Sequence, residues 1–278
     1  MTQARIAGLF VYPLKSGAGI ALDAAELGAC GLAHDRRWLV ATPEGRFLTQ
    51  RELPRLALLR PRLTGHGLRL ALGEADQLDL PPAATGAPMT VRVWRDQVAA
   101  RTHDAAADAA LTRFLGRPVR LVGFDEAQRR PCDPAYAPPD AHTAFADGFP
   151  LLVTSEGSLR ALNEALLERG EVLVPMARFR PNLVLADVPA GAEDDCRSLD
   201  LGQGVRLDLV KPCDRCVITT IDQASGERTG PEPLATLRRL RRNPRTGGAW
   251  FGQNAVPRLE GAGVARLRVG DPCRLVAG

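Results

Sequence analysis

Short runs of alternating apolar and polar positions dominate the first half of the chain, the spacing of half-buried strands. Residues 6–12 read as one such strand. Residues 37–41 and 47–51 flank Pro43-Glu44-Gly45, residues 56–63 and 68–72 flank Thr64-Gly65-His66-Gly67, and residues 91–94 and 98–101 flank Arg95-Asp96-Gln97. Three hairpins are therefore expected. Residues 104–115 switch to an Ala-rich helix with Asp104 placed to cap it. Residues 130–150 break the pattern with five prolines and three aspartates, which marks a crossing segment and a domain boundary. Residues 151–154 then read as a strand, and Ser155 opens a helix in which Leu159, Leu162 and Leu166 recur at helical spacing. Strands are predicted over 179–185, 205–210, 217–221 and 264–269, a loop at Cys213-Asp214-Arg215-Cys216, and a helix from Pro233.

Composition narrows the class. No apolar run reaches the roughly 18 residues of a membrane span, and residues 1–12 lack the apolar core of a signal peptide. No membrane association and a cytoplasmic location are expected. Six cysteines in 278 residues, mostly far apart, do not suggest a disulfide framework. The net charge is +4, but the basic residues are spread along the chain, which does not favour nucleic acid as a partner. Among 36 basic residues only Lys15 and Lys211 are lysines, so these two mark positions where a compact ammonium is wanted.

Four motifs carry candidate chemistry. Lys211-Pro212-Cys213-Asp214-Arg215-Cys216 contains a CxxC pair. A structural zinc site needs four ligands, and no second pair completes it. A thioredoxin-like site would place the pair at a helix N-terminus, whereas here it enters a β-branched stretch. One thiolate on a rigid strand suits a soft, redox-active metal. Arg215 and Lys211 are expected to favour the thiolate by proximity. The residues alone leave metal or redox function open against a structural pair of cysteines. Tyr12-Pro13-Leu14-Lys15-Ser16-Gly17 runs a strand into a turn whose ammonium, hydroxyl and backbone N–H groups can hold a phosphate, although a plain hairpin entry would look the same. His34-Asp35-Arg36-Arg37-Trp38 offers a guanidinium for an anion, or a charged strand edge. Arg180 and Asn182 of Arg178-Phe179-Arg180-Pro181-Asn182 share one side of an extended segment and could face one ligand.

The ordered set YPLKS, DRRWLV, TSEGSL, RFRPNLVL, KPCDRCVITTID, FGQN and VGD resembles the MOSC proteins, and most nearly the amidoxime-reducing components and their bacterial counterparts. The resemblance covers nearly the whole chain. It implies a mainly β fold with some helices (α+β): residues 1–125 as a MOSC N-terminal β-barrel-like domain, and residues 126–278 as a MOSC β-barrel domain. It implies a molybdenum cofactor, a pterin dithiolene with a phosphate tail, whose metal is ligated by Cys216. Lys15, Ser16 and Arg36 match positions at the phosphate and pterin end. Ser155, Arg180 and Asn182 match positions near the pterin, and Asp214 and Arg215 lie in the segment that wraps the cofactor. The same set also raises pyridoxal phosphate as a ligand. The implied reaction is reduction of small N-hydroxylated substrates from N–OH to N–H. The chain carries no iron–sulfur signature, so electrons are expected from a separate reductase or ferredoxin-like protein, and a monomer is expected. The alternative is a cofactor carrier, or a sulfur carrier using a Cys216 persulfide.

Overall fold

Seven strands close into a barrel, and one of them comes from the far end of the sequence. In the computed structural model, which describes residues 2–73, 76–244, 246–260 and 263–278, the barrel runs Leu183–Ala186, Leu151–Ser155, Ala249–Leu259, Val205–Arg215, Cys196–Gly202, Pro272–Ala277 and Thr2–Val11. Thr2–Val11 then pairs back onto Leu183–Ala186, so the sheet has no free edge there. Every pairing is antiparallel except that of Leu151–Ser155 with Leu183–Ala186. Alternate residues of these strands fill the interior, among them Ile6, Leu9, Val153, Leu185, Leu207 and Leu275. Burying such a side chain contributes about 1.5–3 kcal/mol, and a one-residue slip would turn each of them outward. The pairing therefore crosses the boundary expected at residue 125, because the first strand is a stave of this barrel.

The rest of the first part builds a four-stranded sheet from Trp38–Ala41, Arg120–Phe124, Asp96–Thr102 and Pro88–Val93. A three-stranded meander, Leu59–Thr64, Gly67–Leu72 and Asp76–Leu80, lies beside it. The expected helix forms over Ala105–Leu115, with the Asp104 side chain accepting from Ala107 N and Gly116 ending it at φ 72°. The mainly β, two-domain MOSC architecture is as expected. Among the described residues no helix is long and apolar enough to cross a membrane.

Residues 130–150 are pinned rather than loose. Arg130–Pro131 pairs with His142–Thr143. The buried Arg130 guanidinium donates to Ala144 O and to Asp147 O, both at 3.1 Å, and to Ala146 O, and it pairs with Asp96 at 2.7 Å. One side chain thus ties the segment to the first sheet and fixes where Asp147 stands.

Local elements differ from expectation at several places. Residues 47–51 form no strand beyond an isolated bridge of Phe47 to Ala41, and Pro54–Leu58 is a 3-10 turn, so the first strand of the second hairpin starts at Leu59. Val217–Thr220 is a short 3-10 turn instead of a strand, because Thr219 Oγ1 and Thr220 Oγ1 donate back to Cys216 O and Val217 O at 2.9 and 2.8 Å. The third hairpin turns at Trp94-Arg95, since Val93 pairs with Asp96. Cys213 to Arg215 belong to the long Val205–Arg215 strand, not to a loop. The strand predicted from residue 179 begins only at Leu183, because Arg180 takes a left-handed φ of 56°.

Candidate functional site

Where the turn after the first strand meets the open end of the barrel, a cavity of about 130 Å³ forms. Its walls bring together Lys15, Ser16, Arg36, Arg180, Asn182, Asp214, Arg215 and Cys216, eight of the nine residues singled out from the sequence. The ninth, Ser155, lies elsewhere. It caps the Glu156–Leu167 helix, accepting from Ser158 N at 3.0 Å, and donates to Glu193 Oε2 at 2.9 Å in the fully buried interior. Ser155, expected near the pterin, thus does not line this cavity, and its hydroxyl serves the helix and a buried carboxylate.

The turn that carries Lys15 and Ser16 is held from several sides. Tyr12 N donates to Asp35 Oδ1 at 2.8 Å, Arg36 N to Tyr12 O at 2.9 Å and Lys15 N to Trp38 O at 2.8 Å. Ser16, Arg36 and Arg180 all adopt left-handed backbone, at φ 67°, 48° and 56°. Non-glycine residues hold that conformation at a cost of about 1–3 kcal/mol, and such strain gathers at functional sites. Gln50 secures the turn further, donating from Nε2 to Ser16 O at 2.8 Å.

Five cations surround the cavity: Lys15, Arg36, Arg51, Arg180 and Arg215. The guanidinium carbons of Arg36 and Arg180 each lie 4.3 Å from the Tyr12 ring centroid. Burial pushes Arg180 down to about 10, against the pull of Tyr12, and the like charge of Arg36 adds to the effect. Burial also lowers Lys15, against the pull of Asp147. Lys15 Nζ donates to Phe145 O at 2.7 Å and to Asp147 Oδ1 at 2.6 Å, which leaves one of its three N–H donors for another acceptor. The surroundings of Asp147 favour the neutral acid, but Lys15, Arg51 and the Trp94 indole N–H outweigh them and hold the carboxyl well below its usual range. Arg215 Nε is buried with no partner. Lys15 is buried and the four arginines are half-buried; Lys15 pairs with Asp147 and Arg36 with Asp35, while Arg51, Arg180 and Arg215 have no ion pair among the described residues, so a multiply charged anion would offset their mutual repulsion.

The two cysteines have different neighbours. Cys213 Sγ accepts from Arg215 Nη1 at 2.9 Å, yet burial pushes its thiol up. Cys216 Sγ accepts from Arg51 Nη2 at 3.1 Å. The cation beside Cys216 is therefore Arg51, which nothing in its local sequence marks. Arg215 serves Cys213 instead, and Lys211 lies over the Tyr136 ring at 4.6 Å. Asp147, also unmarked in the sequence, reaches the site through the Arg130 anchor.

Two sequence-predicted residues do structural work at the cavity wall. Asn182 Oδ1 accepts from Leu152 N and from Arg36 Nη1, both at 3.1 Å, while its Nδ2 donates to Phe10 O at 3.1 Å. It bridges barrel strands and steadies Arg36. Asp214 Oδ1 accepts from Asn243 Nδ2 at 2.9 Å and Thr246 Oγ1 at 3.2 Å, tying the CxxC segment to residues 243–246. Among the described residues no group of three or more His, Cys, Asp or Glu stands ready to hold a metal ion. The protein's soft donor at the cavity is a thiol, set among donors for an anion.

A closed barrel beside a smaller β-sheet unit, with a cationic cavity and a CxxC pair on its wall, defines a class, and sequence comparison names it. Residues 3–118 match the MOSC N-terminal beta barrel domain and residues 140–274 the MOSC domain; the chain belongs to the MOSC family. Within it, the chain is 36% identical to mitochondrial amidoxime-reducing component 1 of Homo sapiens, over 98% of this chain and 82% of that protein. It is 34% identical to the Xenopus laevis protein of the same name, over 96% of this chain and 80% of that one. Mitochondrial amidoxime reducing component 2 of Homo sapiens is 31% identical over 85% of this chain and 72% of its own length. Nothing in the site or in these relatives supports the pyridoxal phosphate expectation.

Proposed function

We propose that the protein is a molybdenum-cofactor-dependent reductase of small N-hydroxylated compounds. The observation that carries the reading is the convergence of five cations on one cavity with two arginine-bonded thiols, Cys213 and Cys216, on its wall, of which Cys216 is the one the family resemblance assigns to the metal. The names of the relatives support the reaction class. The donor set fits a phosphorylated dithiolene cofactor, because the spare N–H of Lys15 and the unpartnered Arg215 Nε need an anion and the thiol suits a soft metal.

Lys15, Ser16 and Arg36 would hold the phosphate end, Arg180 and Arg215 the pterin, and Cys216 the metal. When bound, the cofactor supplies two-electron redox chemistry at the metal. Two electrons and two protons convert N–OH to N–H and release water, so atoms and charge balance. Arg51 donates to Cys216 Sγ and fixes the orientation of that side chain. Asp147 stays ionised, anchors Lys15, and keeps its carboxylate turned to the cavity mouth. The electrons come from a separate donor protein.

The test is metal and pterin content of protein made in a molybdate-supplied host, together with turnover of benzamidoxime. Wild type and Cys213→Ala should carry about one molybdenum per chain, and Cys216→Ala should carry little or none. A folded wild type with neither metal nor pterin, from a host that loads another molybdenum enzyme, overturns the proposal and promotes the persulfide reading.

A further inference from the structure

A second and larger cleft, about 740 Å³, opens beside the cationic cavity and shares Asp147, Gly148 and Phe149 with it. Trp94 stands at the junction. Its backbone sits at φ 57° in a two-residue turn, a position that ordinarily takes Asn, Asp or Gly. Its indole is 43% exposed. A bulky aromatic in left-handed backbone, left open to solvent, is unfavourable on both counts.

Three contacts nevertheless fix this side chain. Its Nε1 donates to Asp147 Oδ1 at 3.3 Å, Phe47 packs edge-on with centroids 5.0 Å apart, and the Arg51 guanidinium lies 4.5 Å from its ring centroid. Arg51 in turn donates to Cys216 Sγ at 3.1 Å. The indole is thus one residue removed from the candidate metal ligand, and it also lines the cleft. The rest of the lining is unevenly charged. Arg46 pairs with Glu52 and Arg130 with Asp96. Arg92 and Lys211, both in the lining, have no ion pair among the described residues.

We propose that this cleft is the substrate site and that it selects flat aromatic N-hydroxylated compounds bearing a negative charge. Trp94 is the platform for the ring, and Arg92 and Lys211 receive the anionic substituent. The proposal rests on the reductase reading and adds a substrate class to it. An aromatic ring stacks on an exposed indole, and a carboxylate or phosphate on the ring gains charge-assisted bonds in a cleft with uncompensated cations. A neutral aliphatic substrate gains neither.

The test compares kcat/KM for acetamidoxime, benzamidoxime and 4-carboxybenzamidoxime, using cofactor-loaded protein and reduced methyl viologen as electron source. Binding of 4-carboxybenzamidine, which has no N–OH to reduce, is followed separately by isothermal titration calorimetry. The carboxylate should be preferred over benzamidoxime by about tenfold or more. The Arg92→Ala/Lys211→Ala variant should bring that ratio to within about twofold. Trp94→Gly suits the left-handed backbone and so preserves the turn. It should cost benzamidoxime about tenfold relative to acetamidoxime, mainly in KM, and weaken calorimetric binding of 4-carboxybenzamidine by about tenfold. Turnover without a charge preference, or a preference unchanged in the double variant, overturns the cleft assignment and leaves the reductase reading standing. No turnover of any amidoxime, with Trp94-dependent binding intact, overturns the reductase reading and leaves the cleft as a site for aromatic anions.

Discussion

Replacing Ser155 by alanine separates a structural role from a cofactor role. The hydroxyl accepts from Ser158 N at 3.0 Å as the helix cap, lies 3.0 Å from Ser158 Oγ, and donates to Oε2 of the fully buried Glu193 at 2.9 Å, whose Oε1 accepts from Ser158 Oγ at 2.7 Å. Loss of an N-cap costs about 1 kcal/mol. Loss of a buried hydrogen bond to a carboxylate costs roughly 1.5–3 kcal/mol more, because the acceptor stays buried without its donor. The sum is about 3 kcal/mol, which lowers the thermal midpoint of a chain this size by about 6–12 °C. Thermal unfolding followed by circular dichroism reads that shift. Pterin content per folded chain, measured on the same preparations, should match wild type. A midpoint within about 1 °C of wild type, or preserved stability with lost pterin, would refute the cap assignment and return Ser155 to the cofactor.

Two further outcomes follow from the titration of buried groups. Burial pushes the Tyr12 phenol up to about 12, against the opposing charges of Arg180 and Arg36, so its contribution to stability is complete below about pH 10 and lost as pH rises through 12. The size is about 3 kcal/mol, and denaturant midpoints between pH 9 and 12 should fall less steeply in Tyr12→Phe than in wild type. An equal slope in both removes Tyr12 as the cause. Burial likewise pushes the Cys132 and Cys273 thiols up to about 12. Iodoacetamide at pH 8 should leave both unmodified in the native protein and alkylate both after unfolding, as peptide mass spectrometry would show; native modification of either contradicts the buried, protonated thiol.

Much of the site could be read from the sequence because its residues sit in motifs. Lys15 and Ser16, Arg36, Arg180, and Cys216 were each marked by their neighbours, and all face one cavity although the chain brings them from positions 15 to 216. The route was less legible. Arg180 reaches the cavity from a left-handed turn instead of the extended segment its spacing suggested, and Asn182 spends its amide on Phe10 and Leu152. Arg51 and Asp147 went unmarked because each acts through partners distant in sequence, Cys216 for one and Lys15 for the other. Residues 217–221 look like a strand by β-branching, but threonine hydroxyls offer carbonyls a local partner that periodicity does not register. The scattered arginines of the sequence similarly hid a cluster that only the closed barrel assembles.

The strand Thr2–Val11 lies more than 170 positions before either of its barrel neighbours, Leu183–Ala186 and Pro272–Ala277. The intervening sheets can form while it waits, but the barrel cannot seal until Pro272–Ala277 is in place. Such long-range closure makes for slow folding. It also means that the second half is not a portable module. A fragment starting at residue 126 would expose the unpaired edges of Leu183–Ala186 and Pro272–Ala277, which invites edge-to-edge aggregation. Supplying residues 2–22 in trans as a peptide would be the direct way to cover them.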